Sequence, residues 1–321
     1  MPKISLKKLK KSKASINLSK IQTFFTTINQ AHRYIYNMKS KTILIAESGS
    51  TKTDWYLMHQ NKSKKYQTQG INPFFLQSHE IAVILEKELK IKKDIVIDEI
   101  HFYGAGISST DKQKVIERAL KSIFQVKKTF CHSDILAAAR ATCGKEKGIV
   151  VILGTGSNSC FYNGKKIGFK TPSLGYILGD EGGGTAIGKK ILQYQLHGIF
   201  DQDLQDVFKS QFPESQEEIL ENIYRKPLPN RYIAHFTQFA IAHRGHYMIE
   251  NIVEDCLNDL FINHLLRYPG IHQHAVHFTG SVSFYFKDML HALCEQYDIR
   301  LGSILQKPMK GLVQFHQSEN K

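Results

Sequence analysis

The same order of strands and helices is predicted twice along this chain, and this repetition limits the possible folds more than any other feature. In the first half, strand-like segments at 42–46, 53–59 and 64–69 come in close succession. The segments that follow are a helix at 78–91, a strand at 99–104, a helix at 110–124, a strand at 127–131 and a helix at 134–143. The pattern is three antiparallel strands followed by alternating helices and strands.

The second half begins the pattern again. The predicted segments are strands at 148–153, 157–162 and 165–169, a helix opened by glycine-rich residues 179–184 and running to about 197, and a mostly helical insertion at 200–269. A strand at 275–279, a helix at 281–296, a strand at 299–305 and a last helix from Met309 complete the copy. A β-β-β-α-β-α unit used twice predicts a two-lobed α/β protein, and ligands of such proteins usually bind in the cleft between the lobes.

The first strand ends in a turn suited to phosphate. In TILIAESGSTKTDW, from Thr42 to Trp55, an apolar strand ends at Glu47, the turn Ser48-Gly49-Ser50-Thr51 follows, and Lys52-Thr53 lead into the next strand. Backbone N–H groups and hydroxyls of such a turn can hold phosphate oxygens, and the carboxylate can hold a divalent cation beside them. Because Ser/Gly hairpin turns are common, this turn alone is equally consistent with an ordinary hairpin.

A second turn of this kind lies at the equivalent place of the second copy. Gly154-Thr155-Gly156-Ser157-Asn158 directly follows the strand IVVIL. Its two glycines let the backbone approach an anion closely, and its hydroxyls can donate hydrogen bonds. Two such turns at equivalent positions of a duplicated fold would clamp a polyphosphate from both sides.

Four polar residues are further candidates for chemistry. Asp134 begins the helix after the strand at 127–131, where it is either a first-turn carboxylate or a general base at the floor of the cleft. Asn72 lies where the chain leaves the third strand and could orient a polar substrate such as a sugar. Asp180 and Glu181 precede three glycines, which a backbone passing close to a ligand explains better than a complement to the helix dipole does.

Several other site classes are disfavoured. Gly183-x4-Gly188-Lys189 lacks the Ser or Thr of a P-loop, and the glycine pairs at Gly104 and Gly154 lack the third glycine of a dinucleotide fingerprint. His272, His274 and His277 have no recognisable supporting groups for a metal. The five cysteines contain no CxxC pair, which indicates reduced thiols and argues against a disulfide scaffold or a structural zinc site.

The net charge of +14 is concentrated at the beginning of the chain. Residues 1–37 carry eight lysines and arginines and no acidic residue, so the remainder is only +6. A basic leader suits a membrane surface, nucleic acid or a transit peptide, but we expect a poorly ordered tail or an upstream translation of a protein that starts at Met38. No apolar run approaches the roughly 18–20 residues that cross a bilayer. We expect a cytoplasmic protein without a membrane or nucleic-acid partner.

Taken together, these residues resemble the BadF/BadG/BcrA/BcrD-type ATPase family, particularly its N-acetylglucosamine kinase branch, in the sugar kinase, Hsp70 and actin superfamily. AESGSTKTDW is similar to the family's first phosphate motif, GTGSN to its second, and GYILGDEGGG to the connecting motif of amino-sugar kinases. HFTGSVSFYFKDML resembles the adenosine motif, and PMKGLVQFH resembles the C-terminal helix that returns to the first lobe.

The resemblance implies duplicated ribonuclease H-like lobes of the actin-like ATPase type. It divides the chain into a first lobe at 38–145, a second lobe at 146–305 that contains the insertion, and a returning helix at 306–321. The implied cofactors are ATP and Mg²⁺, with Glu47 as the metal ligand where most relatives have Asp. Because Glu is longer by one methylene, a coordinated ion would shift by roughly an ångström.

The same resemblance gives roles to individual residues. Asp134 matches the catalytic base, Asn72 and Asp180 match sugar-contacting positions, and Gly106, Thr155 and Gly156 would line the cleft, with Thr155 near the sugar or a phosphate. The residues that would bind the nucleotide are Ser48, Gly49, Ser50, Thr51, Lys52, Thr53, Gly154, Gly156, Ser157, Asn158, Gly280 and Ser281.

The implied activity is ATP-dependent phosphorylation of an N-acetylated amino sugar, with N-acetylglucosamine favoured. Muramic acid derivatives and glucosamine stay open because side chains of the insertion at 200–269 could shape a pocket for the acyl or lactyl group, and a homodimer also stays open. One alternative is an ATPase that activates a radical dehydratase, which needs cysteine thiolates near a subunit interface. Another is a sugar- or nucleotide-sensing regulator, but the leader is too short for the expected DNA-binding module.

Overall fold

The computed structural model describes residues 41–49, 51–60, 62–92 and 94–319. The predicted leader at 1–37, the predicted start at Met38 and Ser50 of the first turn lie outside these residues. Lys41–Lys321 forms one compact unit, and its strands make two separate sheets.

The first sheet has five strands in the order β3-β2-β1-β4-β5. Its strands are β1 (Ile43–Ser48), β2 (Lys52–His59), β3 (Lys62–Gln69), β4 (Ile97–Gly104) and β5 (Val126–Ser133). The first three are antiparallel neighbours, whereas β4 and β5 run parallel to β1. Helices α1 (Ser78–Glu88) and α2 (Thr110–Ile123) cover one face, where Ile81 and Ile116 pack with Leu44 and Trp55. The central position of β1 explains its nearly continuous apolar sequence.

The second sheet repeats this arrangement with four strands in the order β7-β6-β8-β9. Its strands are β6 (Lys147–Leu153), β7 (Ser157–Asn163), β8 (Val276–Thr279) and β9 (Leu301–Leu305). β6 is antiparallel to β7 and parallel to β8, as β1 is to β2 and β4. The strand predicted at 165–169 is wrong, because only a single bridge between Tyr162 and Ile167 forms there. That segment contains two lysines and a glycine, residue types that are depleted in β-strands.

Helices fill the rest of the second half. They are α4 (Gly175–Leu178), α5 (Gly184–Leu196), α6 (Gln202–Gln211), α7 (Gln216–Tyr224), α8 (Pro229–His235), α9 (Thr237–Ala242), α10 (Tyr247–Asn263), a 3₁₀ turn (Leu265–Arg267), α11 (Ser281–Tyr285) and α12 (Lys287–Gln296). The single helix predicted at 281–296 is therefore two helices. The break is at Phe286, which leaves the helical conformation and has a fully buried ring beneath the Arg244 guanidinium.

Two helices join the halves: α3 (Asp134–Cys143) and α13 (Met309–Glu319). On α3, Ala137 packs with Leu312 of α13 and with apolar residues of the first sheet, while Ala138 packs with Val150 of the second sheet. A Cβ at Gly311 would overlap the Ala141 carbonyl, so the two helices touch backbone to backbone. Small side chains therefore let α3 pass between the sheets, with Asp134 at its first turn.

In the part of the chain that the structure describes, no helix combines the length and the apolar character that a membrane-crossing segment needs.

Candidate active site

Both predicted phosphate turns face one cavity of about 540 Å³. The lining residues that were predicted from the sequence are Glu47, Ser48, Gly49, Thr51, Lys52, Asp134, Gly154, Thr155, Gly156, Ser157, Asn158, Asp180, Gly280 and Ser281. They come from the ends of β1 and β6 with the turns and first strand residues that follow them, from the start of α3, from the segment between α4 and α5, and from the start of α11. β1 and β6 hold equivalent places in the two sheets, and both end at this shared cavity, as the repeated pattern predicts.

Two hydroxyls of the first turn point into the protein. Ser48 and Thr53 are fully buried, and their hydroxyl oxygens lie 2.8 Å apart. The Ser48 Oγ accepts a hydrogen bond from the Ile71 N–H at 2.9 Å, and Thr53 donates to the Gln69 carbonyl at 3.1 Å. These bonds hold the turn against the chain that leaves β3. The structure therefore does not bring Thr53 to the cavity, and Ser48 reaches it without a free hydroxyl.

Two carboxylates stand side by side at the base of this turn. Glu47 and Asp54 are directly opposite each other in the antiparallel pair of β1 and β2, and both line the cavity. Burial raises the pKa of Glu47 to about 7, and repulsion by Asp54 and Asp134 contributes to the shift. Asp54 accepts hydrogen bonds from Gln67 at 2.6 Å and from Lys307 at 3.1 Å.

The donor set around Glu47 fits a magnesium ion bound with phosphate. Among the residues that the structure describes, no side chain donates a hydrogen bond to the Glu47 carboxylate, although burial makes its negative charge costly. Mg²⁺ is typically held by one or two carboxylates together with substrate phosphates and water. The described residues contain no group of three or more metal-ligating side chains that would form an all-protein metal site.

Asp134 stands at the start of α3, in the wall of the cavity between the two sheets. The N-cap of this helix is Ser133, and the Asp134 Oδ1 accepts a hydrogen bond from the Ile135 N–H at 2.8 Å. Burial raises the pKa of Asp134, and the positive charge of Lys170 opposes the shift. A carboxylate with a raised pKa accepts a proton more readily, which suits a general base better than a structural cap.

The second turn is held from behind by the start of α5. Gly184 N–H donates to the Gly154 carbonyl and Thr185 N–H donates to the Thr155 carbonyl, both at 2.8 Å. A Cβ at Gly183 would overlap the backbone of Gly156. The glycines after Glu181 therefore allow a close backbone approach, as the sequence indicates, but the neighbour is the second turn rather than a ligand.

Asp180 also contacts the second turn. Its Oδ1 accepts a hydrogen bond from the Ser157 N–H at 3.1 Å, and its Oδ2 accepts one from Thr185 at 3.5 Å. Burial raises the pKa of Asp180. The absence of a side chain at Gly156 is necessary, since a Cβ there would overlap the Asp180 carboxylate. In this structure Asp180 both lines the cavity and fixes the shape of the turn.

Asn72 and Gly106 lie next to each other, but they are not among the residues that line this cavity. The Asn72 Oδ1 accepts a hydrogen bond from the Phe74 N–H at 2.9 Å, which holds the side chain within its own loop. Gly106 has a φ of 78°, and a Cβ there would overlap the Asn72 amide. The structure thus pairs these two predicted residues with each other and not with the turns.

A second cavity of about 400 Å³ adjoins the first and shares Gly154, Thr155 and Ser281 with it. Its other lining residues are Gly184, Ala234, Thr237, Gln238, Ile241, Ala242, Val282 and Tyr285. Those on α8 and α9 are not predicted from the sequence, because short amphipathic helices carry no motif that separates a lining face from a packed one. Of the residues that the structure describes, none from the insertion at 200–269 lines the first cavity, so the pocket for an acyl group expected from it is not found there.

The five cysteines are all buried and unpaired. Burial raises the pKa of Cys131, Cys160, Cys256 and Cys294 to about 12, so these thiols stay protonated at neutral pH. Thiols of this kind are poor ligands for a cluster at a subunit surface. The arrangement does not favour the alternative of a dehydratase activator.

Comparison with known proteins gives solved structures that are similar to most of this chain. A solved structure from Porphyromonas gingivalis, provisionally named an N-acetylglucosamine kinase, is 38% identical and superposes with a TM-score of 0.82 over 87% of this chain and 100% of that one. A structure with the same provisional name from Chromobacterium violaceum is 14% identical, with a TM-score of 0.66 over 86% of this chain and 98% of that one, which supports the fold alone.

A curated relative shares part of its length with this chain. It is an N-acetylmuramic acid/N-acetylglucosamine kinase from Clostridium acetobutylicum, 27% identical over 169 residues. The match covers 50% of this chain and 54% of the relative, so the chain spans about half the length of that protein. No family model matches the chain.

Proposed function

Because the chain belongs to the N-acetylglucosamine kinase-like family of the sugar kinase/actin superfamily, we propose that it is a cytoplasmic ATP-dependent kinase of an N-acetylated amino sugar. The favoured substrate is N-acetylglucosamine, with N-acetylmuramic acid and glucosamine as alternatives. The single observation that carries the proposal is the meeting of both turns, Glu47 and Asp134 in one cavity.

ATP would lie across the two adjoining cavities. Its triphosphate would occupy the space between Ser48–Thr51 and Gly154–Asn158, and its adenosine would lie near Gly280–Ser283. The apolar residues of α8, α9 and α11 that line the second cavity offer a surface for an adenine ring. Gly280 supports this placement, because its φ of 115° favours glycine and a Cβ there would overlap the Leu153 carbonyl, so the start of α11 lies close to β6.

The carboxylate of Glu47 would hold a magnesium ion against the phosphates. Such an ion neutralises charge that develops on the transferred phosphoryl group. The side chain of this residue is suited to that role because its burial beside Asp54 and Asp134 makes a positive neighbour favourable.

Asp134 would act as the base. The sugar hydroxyl attacks the γ-phosphorus, the bond from this phosphorus to the β,γ-bridging oxygen breaks, ADP leaves, and Asp134 takes the hydroxyl proton. Thr155 and Asp180 would lie beside the sugar. The proposed sugar contacts of Asn72 and Gly106 require the lobes to close, which would also exclude water from the transfer.

The test is sugar-dependent release of ADP. Purified protein with ATP and Mg²⁺ is assayed against N-acetylglucosamine, N-acetylmuramic acid, glucosamine and glucose, with EDTA as the metal-free control. We expect the greatest stimulation with an N-acetylated sugar and none in EDTA. If no sugar stimulates ADP release above the background hydrolysis of ATP, the kinase proposal is wrong. A homodimer stays a prediction, which light scattering of the same preparation would test.

A further inference from the structure

An ion pair crosses the first cavity from one half of the protein to the other. Lys307 lies between β9 and α13 and lines the cavity with its neighbours Gln306 and Pro308. Its Nζ is 3.1 Å from the Oδ2 of Asp54 on β2, although the two residues are 253 positions apart in sequence. The pair therefore joins the connection that follows the second sheet to a strand of the first sheet.

Asp54 belongs to a pair of carboxylates that share few positive neighbours. Its side chain and that of Glu47 are on the same face of the hairpin, because directly opposite residues of antiparallel strands point the same way. The lysines that face Glu47 are Lys52 and Lys307. Of these two lysines, Lys307 contacts Asp54 through its ammonium group. The net charge around Glu47 and Asp54 therefore depends on the position of the Lys307 side chain.

The position of Lys307 is easily changed. Its side chain is 52% exposed, whereas that of Asp54 is 19% exposed. Ion pairs with an exposed partner contribute little to stability. A lysine ammonium sits on a flexible four-carbon chain and turns readily toward a stronger anion. A polyphosphate in the same cavity would be such an anion.

We propose that Lys307 is a phosphate-binding residue that exchanges Asp54 for the terminal phosphates of the nucleotide. The proposal rests on the kinase function proposed above. The exchange leaves the Asp54 carboxylate beside Glu47, available toward the divalent cation that accompanies the phosphates. The link between the halves persists, because the contact of Lys307 with Asp54 is replaced by a contact through the phosphates.

Three substitutions separate this proposal from a purely structural bridge. Binding of ADP, AMPPNP and AMP is measured by titration calorimetry in Mg²⁺ and in EDTA. Lys307→Met should weaken ADP and AMPPNP about tenfold in both buffers and leave AMP unchanged, because AMP lacks the terminal phosphates. Asp54→Asn should weaken the binding of ADP and AMPPNP in Mg²⁺ but not in EDTA. Lys307→Arg keeps the charge and should restore most of the affinity.

The matched control is Lys127→Met, which breaks the ion pair between Lys127 and Asp98 at 2.5 Å outside the cavity. It should bind every nucleotide as the wild type does. The proposal is overturned if Lys307→Met binds ADP like the wild type. It is also overturned if Asp54→Asn and Lys307→Met lose equal affinity in EDTA, since that result describes a bridge and nothing more. A wild-type protein that binds no adenine nucleotide would instead overturn the proposed function itself.

Discussion

The Oδ1 of Asp180 accepts a hydrogen bond from the backbone N–H of Ser157 at 3.1 Å, which ties the connecting segment before α5 to the second phosphate turn. The tie places one carboxylate in two roles. It faces the cavity, where a sugar contact was predicted, and it fixes the turn that is proposed to hold phosphate. A substitution at Asp180 would therefore affect the sugar contact and the support of the turn differently.

Replacing Asp180 with Ala should weaken ADP binding several-fold, because Ser157 N–H loses its acceptor and the turn loses its support. Asp180→Asn keeps an oxygen at this position and should bind ADP nearly as the wild type does. Calorimetric titration of ADP without sugar measures this directly. If Asp180→Ala changes only the KM for the sugar, the residue acts on the sugar and does not support the turn.

Asp134→Asn tests the proposed base. The amide cannot accept the hydroxyl proton, so kcat should fall by about 10²–10⁴ while ADP affinity changes little. The exposed Asp111 on α2 offers a control, since its carboxylate is not among the residues that line the cavity. Steady-state assays of both variants with ATP and the best sugar give the comparison. Near-normal turnover by Asp134→Asn would show that another group takes the proton.

Glu47 should make the protein less stable at alkaline pH in the absence of a divalent cation. Its pKa rises from an ordinary value of 4.5 to about 7 on folding, so the folded chain holds this proton more tightly than the unfolded chain. The stabilising effect is complete below pH 4.5 and is lost as the pH rises to about 7. Glu47→Gln, which has no charge to lose, should therefore melt at a higher temperature than the wild type at pH 8 in EDTA.

Melting of both proteins by differential scanning calorimetry at pH 5 and pH 8 checks this expectation. The difference between them should shrink at pH 5, where the wild-type carboxyl is protonated. Excess Mg²⁺ with ADP should stabilise the wild type more than Glu47→Gln at pH 8, because the carboxylate then has a cation partner. Equal melting temperatures at pH 8 would mean that the Glu47 charge is not costly in the folded protein.

Much of the site follows from short stretches of sequence. Glu47, Gly154 and Asp134 each stand at the end of a strand or the start of a helix, and the repeated pattern predicts that these ends meet. Apolar periodicity and turn residues are local signals, so they were sufficient for this part. The two-lobed fold of the actin-like type, which is confirmed, was predicted from the same local signals together with the resemblance of the motifs.

Other parts depend on contacts that no local pattern encodes. The hydroxyls of Ser48 and Thr53 face inward because Ile71 and Gln69 pass beside them. Asn72 is held by the N–H of Phe74, two residues further along its own loop. The helices that line the second cavity look in sequence like any packed amphipathic helices. Each of these features depends on which residues are in contact in the folded chain, and a single sequence does not reveal those contacts.

Acid should unfold the protein through a partly buried histidine cluster between the first sheet and α13. The Tyr103 hydroxyl contacts Arg140 at 2.6 Å and His316 at 2.9 Å, and the His316 ring lies 4.0 Å from that of His101. Burial and the positive charge of Arg140 lower the pKa of His132 to about 4. Burial, the neighbouring His101 and Arg140 lower the pKa of His316 to about 3. The unfolded chain therefore binds these protons more readily, and stability falls as the pH drops from about 6.5 toward 4.

His132→Phe keeps an aromatic ring beside Tyr103, 5.2 Å away in the wild type, and removes one partly buried base. Its midpoint of acid unfolding should lie at a lower pH than that of the wild type. The buried Trp55, the single tryptophan of the chain, reports the transition by fluorescence. His79→Phe, at an exposed position on α1, should leave the midpoint unchanged, since that imidazole meets solvent in both states. Identical midpoints for His132→Phe and the wild type would mean that protonation of His132 does not drive acid unfolding.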